Sequence, residues 1–248
     1  MMDLSRFWEH RRPFRHFRAQ NVFPDDVYQA LASRFSEILR QSSAGVPGAY
    51  QLAQSSPNYD ARILGVDDAL ARLFSPLFSM EAIQQIHGLM DFPFIPIVDG
   101  ALHSSPVGSR TGWIHTDFCA AWFDHSIPPA GPFLYPRRDR CEYFSGELKT
   151  PGAAPRKYAR AAALLFYLCN DGWRPGDGGE TGLYGSQVLS SRSAVEFVPP
   201  LDNSLLLFEC SPHSYHRFIH NPGRVRNSII LWIHATPELM QAKWGIAL

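Results

Sequence analysis

The sequence predicts a mostly β protein, a sandwich or jelly roll with helices at its N-terminal end, forming one domain over residues 1–248. Three observations carry this expectation. Apolar residues recur at helical spacing in the first third of the chain. From Phe92 onward the chain breaks into short runs rich in β-branched and aromatic residues, separated by Gly, Pro and Asn. A length of 248 residues is enough for one substantial core and does not call for a second. Residues 1–93, in round terms, are expected as a helical flank packed on one sheet, and 94–235 as the β core.

The first helix begins at Pro24-Asp25-Asp26, where two acids suit the positive end of the helix dipole, and Val27, Leu31, Phe35, Ile38 and Leu39 then line one stripe. Gln41 to Asn58, rich in Ser, Gly and Pro, reads as a loop. Asp67-Asp68 opens a second helical stretch through Leu70, Leu73, Phe74 and Leu77 to Leu89, with Pro76 expected to divide it. Strands are expected over 94–102, 112–115, 161–169, 194–198, 204–208, 214–219 and 227–233, a spacing that suits a sandwich or jelly roll. Between two of them, Ile127 to Arg160 is too long for an ordinary connection and reads as a lid-like insert.

Bulk properties exclude several classes. The 23 basic and 23 acidic residues cancel, which removes any global electrostatic argument for nucleic acid or for an anionic membrane. No run approaches the roughly 18 apolar residues that a bilayer span requires. The four cysteines have no CxxC spacing, and charges and aromatics stand where a signal peptide would need an apolar stretch, so a soluble cytoplasmic protein with free thiols and no structural zinc is expected.

The chemistry concentrates at His115-Thr116-Asp117. Residues one apart on an extended chain project to the same side, so an imidazole and a carboxylate reach one ion together. His216, about a hundred positions on in another expected strand, supplies a second imidazole, and a jelly roll can bring the two segments side by side. Two histidines and one carboxylate hold non-haem iron on one face and leave the other open. Any single histidine among the 10 in the chain is more often an ordinary hydrogen-bonded residue, and His213 and His220 compete for the distal position. His216 is preferred because Arg226 follows it by ten residues, with Ser228 two further along. A guanidinium and a hydroxyl facing the same way suit one end of a dicarboxylate.

With these residues in view, the sequence resembles the Fe(II)- and 2-oxoglutarate-dependent dioxygenases, most closely their prolyl-4-hydroxylase-like branch. The likeness extends to Ala162–Thr181, AALLFYLCNDGWRPGDGGET, to Trp232 six residues after Arg226, and to the Asn21–Asp26 approach to the first helix, and so covers roughly Phe14 to Ala235. It implies a double-stranded β-helix core, cupin-like in outline. It also implies that His115, Asp117 and His216 are the iron ligands and that Arg226, assisted by Tyr167, Thr181 and Ser228, receives the far carboxylate of 2-oxoglutarate, with Trp232 walling the pocket. The implied reaction is hydroxylation of an unactivated C–H bond with release of succinate and CO2, consuming dioxygen; ascorbate is a further candidate cofactor. A carboxylate at 117 in place of a small residue favours hydroxylation over halogenation. The family tyrosine about ten residues before the first histidine is replaced here by Ser104-Ser105-Pro106, and His103 or Arg110 could substitute for it.

For the substrate, the excess of arginine and lysine in 127–160, Arg137 and Arg138 among them, suggests a positive lid, and Arg110, Phe118 and Trp122 are further candidates for contact. A compact chain without a recognition domain favours a small molecule derived from an amino acid or from secondary metabolism. A peptidyl prolyl substrate is the alternative within the same family, and a cupin-like metal-binding protein without oxygenase activity is the alternative outside it.

Overall fold

The protein is described by a computed structural model covering residues 2–57, 59–90, 92, 93, 95–187 and 194–248. In chain order its strands and helices are β1 (Phe7–His10), β2 (His16–Gln20), α1 (Asp25–Ser43), β3 (Ala53–Ser56), β4 (Tyr59–Gly65), α2 (Asp68–Leu73), α3 (Ser75–Phe78), α4 (Met80–Gly88), β5 (Val98–Ser105), β6 (Ala120–Asp124), β7 (Pro155–Tyr167), β8 (Thr181–Tyr184), β9 (Glu196–Val198), β10 (Ser204–Glu209), β11 (Tyr215–Phe218), β12 (Arg226–Ala235) and α5 (Pro237–Trp244).

All the strand pairings between these elements are antiparallel. A major sheet runs in the order β1-β2-β10-β7-β12-β5-β4-β3, with β6 added to the outer half of β7. A minor sheet, β11-β8-β9, faces it. The two layers make the double-stranded β-helix that the sequence predicts. Alternation along the central strands divides the core in two. Leu164, Phe166, Ile229 and Leu231 turn outward to join Leu31, Phe35, Leu70 and Ile83 of the helices. Leu165, Tyr167, Ile230 and Trp232 turn inward and meet Leu183 and Val198 of the minor sheet. Burying Leu31, Phe35 and Ile38 contributes roughly 1.5–3 kcal/mol per side chain, and this tertiary contact holds α1 in place more than helix propensity does.

Several local expectations are corrected. The N-terminal third contains four strands as well as helices, because β1 and β2 pair at the edge of the major sheet and β3 and β4 at its other end, without the apolar alternation that marks a half-buried strand. The expected 41–58 loop contains the end of α1 and all of β3, and Asn58 lies outside the described residues. The strand expected from Phe94 begins at Val98, and Phe94 itself lies outside the described residues. The second helical stretch breaks on both sides of Pro76, at Phe74 and at Ser79. Residues 112–115 form no strand and meet β11 of the minor sheet through the His115–His216 bridge and a Gly112 N–H donated to Phe218 O at 3.0 Å. The insert is better packed than a solvated lid: Phe133, Leu134, Tyr135 and Tyr143 are buried, and its last residues, Pro155 to Arg160, continue β7.

Candidate active site

The inward alternation of β12 aligns Arg226, Ser228, Ile230 and Trp232 on one face of the major sheet, while β8 brings Thr181 from the opposite layer. Between the layers lies a cavity of about 550 Å³ whose polar lining includes His103, His115, Asp117, Arg160, His216 and Arg226. Ile63, Leu165, Phe218, Ile230 and Trp232 supply much of its apolar wall. Trp113 and Phe144, 56% and 61% exposed, stand where it opens to solvent.

His115, Asp117 and His216 come together here, with one donor atom from each within 4.8 Å of the others. His115 Nε2 lies 3.8 Å from Asp117 Oδ1, and His216 Nε2 lies 3.7 Å from Asp117 Oδ2. The same local device orients both imidazoles. Each Nδ1 lies 3.0 Å from the carbonyl oxygen two residues earlier, Trp113 for His115 and Ser214 for His216. An Nδ1–H donated to that carbonyl leaves Nε2 bare and aimed at Asp117, the tautomer a metal requires. The two segments are also tied through their backbones, His115 N–H to His216 O at 3.1 Å and His216 N–H to His115 O at 2.8 Å.

The electrostatics keep His216 and Asp117 deprotonated at neutral pH. Burial pushes the His216 pKa down to about 4, assisted by the His115 charge. Burial alone would raise the Asp117 carboxyl, but His216, Arg160, His115 and the Trp232 hydrogen bond bring it down to about 2. The Trp232 indole donates to Asp117 Oδ2 at 2.9 Å, and Arg160 Nη1 stands 3.5 Å from Oδ1. Arg160 also reaches Asp99, at 3.8 Å, and lies flat over the Trp232 ring, 4.0 Å from its centroid. Its place beside Asp117 was not foreseen: it stands 43 positions away in the chain, inside a run of basic residues with nothing to set it apart.

Arg226 is 3% exposed and has no carboxylate partner among the described residues. One guanidinium nitrogen donates to Ser228 Oγ at 3.0 Å and another to Thr181 Oγ1 at 3.3 Å; Thr181 in turn shares a 2.8 Å bond with the Tyr167 hydroxyl. Its Nε has no partner. Thr181 reaches this position because Gly178 and Gly179, at φ of +73° and +81°, pass so close to His220, Asn221 and the stem of Arg226 that a side chain would collide. A buried cation that meets only hydroxyls and the Tyr167 and Phe218 rings, 5.1 and 5.7 Å away, is costly unless an anion completes it.

The family model of the 2OG-Fe(II) oxygenase superfamily matches residues 115–234, a span that starts at His115 and contains Asp117, His216 and Arg226. Over that span, just under half of its length, the chain is similar to that superfamily. No curated protein matches the oxygenase in sequence. Solved structures share its fold. A Pseudomonas putida prolyl-4-hydroxylase is 19% identical, with 93% of this chain and 94% of that one covered and a TM-score of 0.52. A Trichoplax adhaerens prolyl hydroxylase in complex with a hypoxia inducible factor oxygen degradation domain peptide fragment is 15% identical over 88% and 82%, at 0.53. HygX from Streptomyces hygroscopicus, with nickel and 2-oxoglutarate bound, is 14% identical over 89% and 82%, at 0.51.

Members of the superfamily use Fe(II) and 2-oxoglutarate. The residues present fit both: two bare imidazole nitrogens and a carboxylate for the ion, and a buried unpaired guanidinium in the same cavity for a dicarboxylate.

Other residues singled out in the sequence are held elsewhere. Arg110 grips Asp60 through two nitrogens, at 2.7 and 3.0 Å, away from the cavity lining. Phe118 packs against the helix-side core, and Trp122 stacks on Gly146. Arg137 donates to the Ile127 and Pro128 carbonyls, and Arg138 to buried Asp99 at 3.0 Å, so neither presents a charge to the oxygenase cavity. The insert reaches the cavity instead through Phe144 and Arg160. Of the competing histidines, His220 places Nδ1 2.7 Å from Ser109 O, and neither His213 nor His220 joins the donor cluster. Cys169 lies outside this cavity, with its sulfur 3.4 Å from the Ala32 carbonyl on α1.

Proposed function

We propose that this oxygenase hydroxylates an unactivated C–H bond of a small molecule, with His115, Asp117 and His216 holding Fe(II) and Arg226 receiving the far carboxylate of 2-oxoglutarate. The observation that carries the reading is the buried Arg226, without a carboxylate partner among the described residues, in the same cavity as the three donors. When bound, iron and 2-oxoglutarate supply the oxidant made from dioxygen, with succinate and CO2 released.

The chain's own groups fix position and exclude water. The Nδ1 bonds of His115 and His216 hold each Nε2 bare, and Trp232 with Arg160 keeps the Asp117 carboxylate anionic and oriented. Ser228 and Thr181 hold the Arg226 fork, and Tyr167 holds Thr181. Leu165, Ile230 and Phe218 keep the inner wall dry.

A volume of about 550 Å³, shared with 2-oxoglutarate, accommodates a compact substrate and favours the small molecule. A peptidyl prolyl substrate is supported by a different observation: Trp113 and Phe144 form an apolar mouth open to solvent, to which a chain could be laid. Succinate release from Fe(II) and 2-oxoglutarate tests the reaction, with abolition in His115→Ala expected and activity retained in that variant contradicting it. Proline-containing peptides compared with free amino-acid derivatives, scored by stimulation above the uncoupled rate, separate the two substrates.

A further inference from the structure

A second set of metal-ligating side chains lies outside the cavity, where the N-terminal hairpin meets the minor sheet. His10 ends β1, His16 begins β2, and the two are paired across the last rung of that hairpin. Glu196 begins β9 in the opposite layer. One donor atom from each lies within 4.8 Å of the other two. Glu196 Oε2 is 3.2 Å from His16 Nε2, and Oε1 is 4.0 Å from His10 Nδ1.

The geometry at His16 repeats that of His115 and His216. Its Nδ1 lies 3.0 Å from the carbonyl of Phe14, two residues earlier, so the ring hydrogen belongs on Nδ1 and the Nε2 lone pair faces the cluster. His16 is fully buried, and its Nε2 has no hydrogen-bond partner despite the nearby carboxylate oxygen, because that oxygen lies off the direction in which the ring nitrogen points. A bare nitrogen and a carboxylate oxygen in contact repel unless a cation stands between them. Donors bound to one tetrahedral ion at about 2.1 Å sit about 3.4 Å apart; the 3.2 Å between His16 Nε2 and Glu196 Oε2 meets that spacing, and His10 Nδ1, 4.0 Å from Oε1, would turn in to complete the set.

We propose that His10, His16 and Glu196 form a second metal site, taking zinc or a divalent ion of similar preference. Two imidazoles, one carboxylate and a water complete a tetrahedral shell. Arg18 donates to Glu196 Oε1 at 2.6 Å, leaving Oε2 for the ion and fixing the carboxylate as an outer partner of a ligand does. The role is structural. The ion would fasten the edge hairpin of the major sheet to the first residue of β9 in the minor sheet.

Zinc content after loading with ZnCl2 and desalting tests the site, since both donor sets should retain the ion. Wild type should hold two equivalents per chain; His115→Ala and Glu196→Gln should hold one each, and the double variant none. Zinc should raise the melting temperature of His115→Ala by several degrees and leave that of the double variant unmoved. His10→Ala, the most exposed of the three, carries the comparison if Glu196→Gln does not fold. A single equivalent in wild type that His115→Ala abolishes would overturn the proposal, leaving an ordinary ion pair in place of a metal site. So would two equivalents persisting in both Glu196→Gln and His10→Ala.

Discussion

The Trp232 indole N–H meets Asp117 Oδ2 at 2.9 Å, so a residue of the major sheet sets the orientation of the one carboxylate in the His115, Asp117 and His216 cluster. Trp232→Phe keeps most of the buried ring and removes that bond. Iron affinity should fall about 10- to 100-fold with the fold intact, as followed by the Fe(II) concentration that half-restores succinate release. An unaltered iron dependence would show that Asp117 is held by Arg160 alone.

Arg226→Lys retains the charge but loses the planar fork that Ser228 and Thr181 hold. Losing one charge-assisted bond costs about 1.5–3 kcal/mol, so the 2-oxoglutarate concentration for half-maximal rate should rise roughly tenfold to a hundredfold, while iron binding measured without the keto acid stays near the wild-type value.

Arg160→Met should destabilise the protein by about 3–5 kcal/mol. It leaves fully buried Asp99 with Arg138, 44% exposed, as its remaining ion-pair partner among the described residues, and deprives Asp117 of its neighbouring cation. Urea denaturation reads the change, and a midpoint equal to that of wild type would mean the arginine is dispensable to packing.

The metal-free protein should lose stability as pH falls below about 6.5. Burial lowers His103 and His234 to about 3 and His216 to about 4, so between the ordinary histidine value and these the unfolded chain takes up protons that the folded chain refuses. At pH 5.5 each such histidine removes roughly 1.4 kcal/mol. Asp202, pushed up to about 6 by burial and by Asp171, acts in the opposite sense, but it is one group against three. Asp117, depressed to about 2, matters only below the ordinary carboxylate range. Melting temperatures of chelator-treated protein from pH 7.5 to 5.5 should decline, and a flat profile would contradict neutral burial of these rings.

Trp113→Ala and Phe144→Ala should each raise the half-saturating substrate concentration roughly tenfold, and move that for 2-oxoglutarate much less, since the two rings flank the solvent end of the cavity. Equal shifts in both constants would place the substrate elsewhere.

What the sequence made legible was local chemistry repeated at fixed spacing. The strands of 161–169, 204–208 and 227–233 stand close to where β7, β10 and β12 fall, because the central strands of a sheet are apolar on both faces. His115 and Asp117 were recognisable as a pair because they are one residue apart, and Arg226 because it shares a strand face with Ser228. Edge strands were not: β1, with Trp8 and Glu9 exposed, carries no apolar pattern. Charge counting also misjudged the insert. Arg137, Arg138, Arg140 and Arg160 look like one positive surface in sequence, yet Asp99, Asp117, Asp124 and two main-chain carbonyls absorb them, partners contributed by distant segments or by the turns of the insert itself.

The reciprocal main-chain bonds between His115 and His216 bring together two imidazoles a hundred positions apart without help from either side chain. Placement of the donors is thus a property of the apoprotein. Iron that arrives finds the histidines already positioned, so none of its binding energy is spent on ordering the chain. Loading is an exchange of water for ligands at a finished surface. Depletion and reconstitution should therefore cycle without passing through unfolding.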